Sequence, residues 1–222
     1  MKASSILSLA AVFVGINAAP AIDAIVDAQS LTKRQYLSST YNQLTDGTAC
    51  RPVTVIYARG TSQAGNVGDS AAVGPIFFNN VASKIGGTGQ LAIQGVTYSA
   101  SVLGFLAGGD LAGTTTMTNL VNTASTKCPS TKIILGGYSQ GAQLVHKATR
   151  NLSATVAAKV SAVVVFGDPM EGQNFGSIPL SKTLTICHTG DNICEGGITI
   201  TSQHLNYQND APQAATFVAG KV

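Results

Sequence analysis

The sequence of 222 residues contains no tryptophan, and only 10% of its residues are charged. Modules that bind polysaccharides usually stack sugar rings on aromatic faces, so the lack of tryptophan argues against a carbohydrate-binding module. The formal net charge is +3, and the basic residues form no cluster suited to a phosphate backbone. The composition therefore argues against nucleic acid as a partner.

The sequence also lacks an apolar run long enough to cross a bilayer, so no integral membrane association is predicted. A short apolar run, Ile6 to Ile16, follows Lys2 and precedes small residues, which is typical of a secretory signal peptide. We therefore predict a signal peptide over residues 1–18 and a secreted, extracellular protein.

The next segment, residues 19–34, has no core pattern of its own. It ends in the dibasic pair Lys33-Arg34, of the kind that processing proteases cleave, and is predicted to be a propeptide. An arm that is never removed is the alternative. The remaining residues, 35–222, can bury a sizeable core and are predicted to form one domain, which we expect to be monomeric.

Cysteine and histidine are scarce, with four and three residues respectively. The histidines are scattered and no Cys-x-x-Cys occurs, so neither a metal site nor a cofactor is predicted. In an exported protein four cysteines favour two disulfides, for which three connectivities exist. Cys187 and Cys194 flank a turn-forming run and can close a short loop, which would leave Cys50 to pair with Cys128.

Apolar strand-like runs alternate with helical patterns along residues 35–222. The predicted strands are Pro52–Tyr57, Leu91–Tyr98, Lys132–Leu135, Ser161–Phe166 and Leu184–Cys187. The predicted helices lie near 71–85, 110–126, 140–159 and 210–220. This alternation predicts an α/β fold in which a parallel sheet of about five strands is flanked by helices on both faces.

One short motif stands at the end of a predicted strand, where α/β proteins place their ligands. Residues Gly137-Tyr138-Ser139-Gln140-Gly141 match Gly-x-Ser-x-Gly, the form of a strand-to-helix turn that raises a nucleophilic serine above the sheet. Glycines on either side of Ser139 would avoid collisions in such a tight turn. The alternative is a serine in an ordinary glycine-rich turn.

A nucleophilic serine needs an imidazole to take its proton and a carboxylate to orient that imidazole. In α/β-hydrolases the acid follows the serine and the histidine follows the acid. His146 precedes every candidate acid, so the choice lies between His188 and His204. We favour His204, because it lies in an otherwise uncharged stretch, residues 198–205, typical of a loop that enters an apolar cleft.

The favoured acid is Asp191, because the proposed Cys187–Cys194 bridge would hold it on a stiff loop at a strand end. Asp168 is the alternative acid, although an aspartate before a proline more often begins a turn.

A serine hydrolase also needs hydrogen-bond donors for the oxyanion of its tetrahedral intermediate. One is the backbone N–H of the residue after the nucleophile, here Gln140, and the other comes from a loop after an early strand. Thr61 in that loop can offer its N–H and its hydroxyl. A phosphate-binding turn at residues 59–61 is the rival interpretation, but the Walker lysine is missing.

Apolar residues near the predicted site could bind an acyl chain. They are Val102, Leu103 and Phe105 after the second strand, and Ile198, Ile200 and Leu205 around the predicted base. The alternative is that these residues belong to an ordinary core.

Four stretches together resemble the fungal cutinase family: Ala58–Thr61, Gly136–Gly141, Cys187–Asp191 and His204–Tyr207. The resemblance implies a lid-free α/β-hydrolase and a secreted serine esterase. It implies the triad of Ser139, Asp191 and His204, the oxyanion hole of Thr61 and Gln140, and the disulfides Cys50–Cys128 and Cys187–Cys194. The predicted function is hydrolysis of aliphatic carboxylic esters, above all the polyester cutin, through an acyl-enzyme on Ser139.

Some residues depart from the family pattern. The family more often has asparagine at the position of His188 and frequently serine at that of Thr61. Residues 166–169 (FGDP) are associated as much with the related acetylxylan esterases. Removal of acetyl groups from a plant polysaccharide is therefore the alternative function.

Overall fold

The computed structural model describes residues 35–222, so the predicted signal peptide and propeptide lie outside the described residues. Five strands form one parallel sheet in the order β2-β1-β3-β4-β5. They are β1 Val53–Ala58, β2 Leu91–Gly95, β3 Lys132–Tyr138, β4 Val160–Phe166 and β5 Thr183–Ile186. The predicted α/β fold is confirmed.

The central strands are largely apolar because both of their faces are covered. Successive side chains of a strand point to opposite faces. In β1, Val55 and Tyr57 therefore enter one core cluster while Ile56 and Ala58 enter the other. The same alternation divides β3, where Ile134 packs on the first face and Leu135 on the second.

Helices cover the two faces of the sheet. The first face is packed by α1 (Val73–Lys84) and α6 (Ala211–Ala219). The second is packed by α3 (Leu111–Lys127), α4 (Gln140–Arg150) and α5 (Ala154–Lys159). A further short helix, α2 (Val102–Leu106), follows β2.

The predicted elements differ from the structure in several places. β2 ends at Gly95 instead of Tyr98, and β3 continues to Tyr138, beyond its predicted end at Leu135. The helix predicted over 140–159 is divided into α4 and α5 by residues 151–153. Serine competes for backbone hydrogen bonds, and here the Ser153 side chain accepts from Val156 N at 3.3 Å and so begins a new helix. No helix was predicted directly after β2, but the side chain of Ser101 accepts from Gly104 N at 3.1 Å and caps α2.

Two disulfides are present, Cys50–Cys128 and Cys187–Cys194. The first ties the segment before β1 to the C-terminal end of α3, across a sequence separation of 78 residues. In the chain-entropy model a loop of that length contributes about 4 to 5 kcal/mol to the free energy of unfolding. The second closes a loop of 7 residues directly after β5.

Within residues 35–222, no helix combines the length and the apolar character needed to span a bilayer.

Candidate active site

Ser139 lies at the turn between β3 and α4, at the carboxyl end of the sheet. Its φ is 56°, a left-handed conformation that is rare for a side chain other than glycine. The turn brings neighbouring backbones into contact: a Cβ on Gly137 would lie 2.5 Å from Gly141 O, and one on Gly141 would lie 2.0 Å from Ala58 O. Glycine is therefore required at both positions, as the motif predicts.

The three residues of the predicted triad lie in a hydrogen-bonded row. His204 Nε2 lies 2.9 Å from Ser139 Oγ, and His204 Nδ1 lies 2.8 Å from Asp191 Oδ2. Asp191 is fully buried, and His204 and Ser139 are only 2% and 6% exposed. Because a carboxylate accepts, His204 donates through Nδ1 and leaves Nε2 free to accept the proton of the serine hydroxyl.

Asp191 is held by two further donors. The backbone N–H of Ile193 donates to Oδ1 at 3.0 Å, and the hydroxyl of Tyr207 donates to Oδ2 at 2.7 Å. Burial raises the pKa of Tyr207 well above its ordinary value, so the hydroxyl keeps its proton. The buried carboxylate is thus fully supplied with donors and fixes the plane of the His204 ring.

Tyr138, inside the Gly-x-Ser-x-Gly motif, fixes the backbone of the same histidine. Its hydroxyl donates to His204 O at 2.7 Å, and the two rings stack with centroids 5.2 Å apart. Burial raises the pKa of Tyr138 as well, which keeps it a donor. Its aromatic ring between two small residues was the signal available in the sequence, but no role was predicted for it or for Tyr207.

The two residues predicted for the oxyanion hole are in direct contact. The side-chain Nε2 of Gln140 donates to Thr61 Oγ1 at 2.8 Å and to Ser101 O at 2.8 Å. Because the Thr61 hydroxyl accepts this bond, its own proton is left to donate elsewhere. Gln140 is also the first residue of α4, where a backbone N–H has no partner within the helix. The side chain of Gln140 thus positions Thr61, a role that the sequence did not suggest.

An apolar cavity of about 390 Å³ opens beside the serine. Its lining includes Ser139, His204, Tyr138 and Thr61 on the polar side. The apolar lining residues are Val102, Phe105, Leu106, Ile198, Ile200 and Leu205. Apart from Phe105 these side chains are more than half exposed, so they are not ordinary core residues.

Leu103 does not line this cavity, contrary to expectation, and is 78% exposed. The reason is the unpredicted helix α2. At about 3.6 residues per turn, Phe105 and Leu106 lie about one full turn from Val102 and close to its face, whereas Leu103 is turned from it by about 100°. Leu106 therefore lines the cavity in place of Leu103, which had been predicted to do so.

The alternative acid, Asp168, is engaged elsewhere. Its Oδ2 lies 2.8 Å from His146 Nε2, and both side chains are fully buried. Its Oδ1 accepts from Met170 N at 2.9 Å, which is the turn role expected of an aspartate before a proline. His146 stacks on Phe175 with ring centroids 3.9 Å apart, so it has a packed, structural role.

The remaining histidine, His188, also pairs with a carboxylate. Its Nε2 lies 2.8 Å from Asp210 Oδ2. Asp210 follows every histidine in the sequence, so the chain order of α/β-hydrolases gives it no place in the triad, and its pairing with His188 was not predicted.

Glu171, Cys187 and Cys194 are close enough to suggest a metal site. Both sulfurs are joined in a disulfide, however, and zinc requires thiolates. This cluster is therefore not a metal centre.

Comparison with known proteins agrees with this geometry. The cutinase family profile matches residues 49–222. Cutinase cut1 of Trichoderma harzianum is 45% identical over 206 residues, which cover 92% of this chain and 79% of the relative. A solved Trichoderma reesei cutinase, in complex with a phosphonate inhibitor, is 42% identical with a TM-score of 0.76, covering 89% of this chain and 84% of that one.

The acetylxylan esterases share the fold. One solved at 0.90 Å resolution is 24% identical with a TM-score of 0.64, covering 78% of this chain and 99% of its own. This likeness shows the fold alone, whereas the family profile and the relatives at 45% identity concern the sequence itself. This chain therefore belongs to the cutinase family and is a serine ester hydrolase.

Proposed function

We propose that this protein hydrolyses aliphatic carboxylic esters, with the polyester cutin as its main substrate, through an acyl-enzyme on Ser139. The observation that carries the proposal is the hydrogen-bonded row of Ser139, His204 and Asp191 beside an apolar cavity. The curated relatives named cutinases support the choice of substrate.

In the first step, His204 Nε2 takes the proton of Ser139 as Oγ attacks the ester carbonyl carbon. The imidazolium that forms is stabilised by Asp191, to which its Nδ1–H already donates at 2.8 Å. Because the carboxylate is buried and fixed by two other donors, little reorganisation accompanies this charge separation.

The carbonyl oxygen becomes negative in the tetrahedral intermediate. The backbone N–H of Gln140 and the hydroxyl of Thr61 are the donors that we assign to it, since Thr61 lines the cavity beside Ser139. Collapse of the intermediate breaks the bond to the alcohol, which receives the proton from His204 Nε2. Water then repeats the sequence on the acyl-enzyme, and the acid is released with Ser139 restored.

The substrate class follows from the surroundings of the serine. Val102, Ile198, Ile200 and Leu205 form an apolar rim that an aliphatic chain can cover, at about 25 cal/mol per Å² of apolar surface buried. These side chains are already exposed in the described structure, so a polymer surface can reach them. An acetyl group would bury little of the apolar surface of this rim.

Acetylxylan esterase activity is the second candidate, supported by residues 166–169 and by the shared fold. Initial rates on butyrate and hexanoate esters, on insoluble cutin and on acetylated xylan distinguish the two. We expect release of hydroxy fatty acids from cutin and a preference for the longer esters. Preference for acetylated xylan would contradict the proposal, and a Ser139→Ala variant is the matched control for each substrate.

We also propose that the protein is secreted as residues 35–222 after removal of a signal peptide and a propeptide, and acts as a monomer that binds no nucleic acid. Four cysteines in two disulfides suit an oxidising compartment. N-terminal sequencing of protein recovered from the medium of a fungal host should begin at Gln35. A start near residue 19 would show that the dibasic pair is not cleaved.

A further inference from the structure

His188 bridges two segments of the candidate site. Its ring Nδ1 lies 2.9 Å from the carbonyl oxygen of Gln203, and its Nε2 lies 2.8 Å from Asp210 Oδ2. The ring stacks on Tyr207 at a centroid distance of 4.0 Å and an angle of 16°. Cys187, the preceding residue, is in the disulfide with Cys194, so the backbone that carries the ring is anchored.

The two partners of the ring determine its protonation. A backbone carbonyl can only accept a hydrogen bond, and an ionised carboxylate can only accept as well. A neutral imidazole has one N–H and could satisfy only one of them. Both contacts are therefore hydrogen bonds only when both ring nitrogens carry protons, and imidazole is a much stronger base than a carboxylate. The geometry is that of an imidazolium.

The segments that His188 joins carry His204, the proposed base, and Tyr207, which supports Asp191. Gln203 directly precedes His204 in the 3-10 turn Ser202–Leu205. The backbone N–H of His188 also donates to the hydroxyl of Tyr207 at 2.9 Å, and that hydroxyl donates to Asp191. His188 thus holds the turn of the base from one side and the tyrosine that supports the acid from the other.

We propose that His188, in its doubly protonated form, is a positioning residue that clamps the His204-bearing turn against Asp210. The proposal rests on the proposed function of His204 as the catalytic base. When the ring loses one proton, one of its two bonds becomes an unfavourable contact between acceptors, and the turn is released from one anchor.

The surroundings of His188 set the direction of its titration. Burial opposes the charged ring, but bonds to the Gln203 carbonyl and to the Asp210 carboxylate outweigh it and raise its pKa. The side chain of Asn206 acts in the same direction. The other ionisable groups that face this region are Asp191, whose N–H donates to His188 O, and Tyr207, which stays neutral. The clamp is therefore present at low pH and is lost as pH rises through the raised pKa.

Nuclear magnetic resonance tests the protonation without reference to activity. Full-length secreted protein labelled with ¹⁵N-histidine gives separate long-range correlations for the two nitrogens of each ring, and His188→Phe identifies those of His188. We expect both nitrogens to be protonated at about pH 6 and one to lose its proton only above the ordinary titration range near 6.5. An unprotonated nitrogen at about pH 6 would overturn the proposal.

Kinetics test the consequence for catalysis. His188→Phe keeps the stacked ring but removes both N–H donors, so kcat for a butyrate ester should fall roughly tenfold at neutral pH while KM stays unchanged. The wild-type kcat should decline at alkaline pH, and His188→Phe should lack that decline. Asp210→Asn, which removes the charge that favours the imidazolium, should move the decline to lower pH.

Glu195→Gln is the matched control, because it removes one negative charge from an exposed side chain directly after Cys194. Its pH profile should coincide with that of the wild type, and a shift equal to that of Asp210→Asn would overturn the specific role of the His188 pair. If the wild type is active and a folded His188→Phe protein has the same kcat, the clamp is also overturned. Failure of the wild type to turn over any ester would instead overturn the proposed function, while the resonance experiment would still report the state of the ring.

Discussion

The hydroxyl of Tyr207 and the carboxylate of Asp191 are joined by a hydrogen bond of 2.7 Å between fully buried side chains. The same carboxylate oxygen accepts from His204 Nδ1 at 2.8 Å. Two donors on one oxygen restrict the carboxylate to a single orientation. Tyr207 therefore contributes to the alignment of the proposed base although it does not touch the serine.

Removal of this hydroxyl should weaken catalysis without changing substrate binding. In Tyr207→Phe we expect kcat to fall about tenfold with KM unchanged, and the free energy of unfolding to fall by about 1.5 to 3 kcal/mol, the contribution typical of a hydrogen bond to a charged group. Steady-state kinetics and urea unfolding measure both. Tyr41→Phe is the matched control, because the Tyr41 hydroxyl accepts from Ser38 N in an exposed contact; an equal loss of kcat there would contradict a specific role.

Asp191 and Asp168 should differ sharply in their effect on turnover. Asp191→Asn favours the wrong tautomer of His204, so kcat should fall by about 10⁴-fold. Asp168→Asn removes the partner of His146 and should lower the melting temperature, yet kcat of the folded protein should stay within a few-fold of the wild type. Loss of catalysis in folded Asp168→Asn with activity retained in Asp191→Asn would exchange the roles of the two acids.

The Thr61 hydroxyl should act in the transition state. Thr61→Val keeps the size of the side chain but removes the donor, so we expect kcat to fall by about 10² to 10³-fold with little change in KM. Thr61→Ser retains the hydroxyl and should retain most of the activity. Retention of activity in Thr61→Val together with its loss in Thr61→Ser would show that the methyl group, not the hydroxyl, is what the site requires.

The apolar rim should determine preference for chain length. Val102→Ser removes apolar surface from the cavity wall, so KM for a hexanoate ester should rise about tenfold while that for an acetate ester changes little. Leu103→Ser is the matched control, because Leu103 is exposed beside the cavity but does not line it. Equal effects of the two substitutions would mean that general surface hydrophobicity, not the cavity, binds the chain.

His188 should also make stability depend on pH. Its pKa is raised in the folded protein, so its contribution to the free energy of unfolding is complete below the unfolded value of about 6.5 and disappears as pH rises through the folded value. The difference in unfolding free energy between wild type and His188→Phe should therefore shrink from acid to alkaline pH in urea titrations. A difference that grows with pH would contradict a raised pKa.

Local patterns were sufficient to predict the sheet and the position of the nucleophile. The strand before Ser139 is largely apolar because both of its faces are buried, and Gly137 in the turn is required by a backbone contact with Gly141, only a few residues away. Chain order and a short cysteine loop then selected Asp191 and His204, which the structure brings within hydrogen-bond distance. Their catalytic roles stay predictions until the variants are measured.

Local sequence patterns cannot predict contacts between residues that lie far apart along the chain. The pairing of His188 with Asp210 joins residues 22 positions apart, and the donation from Tyr207 to Asp191 joins residues 16 apart. Neither spacing follows a helical or strand period. The exchange of Leu103 for Leu106 in the cavity wall had a different cause, since it required knowledge that five residues after Ser101 form a helical turn.

The contact between residue 141 and Ala58 O has a consequence for how this site can change. A Cβ at residue 141 would lie only 2.0 Å from that oxygen, so the first turn of α4 rests directly on the end of β1. The separation between the nucleophile and the Thr61 loop is thus set by contact between two backbone segments and not by side chains that could be substituted. Side chains at the mouth of the cavity can therefore be substituted to fit new polyesters, because the backbone contact keeps the spacing of the reactive atoms unchanged.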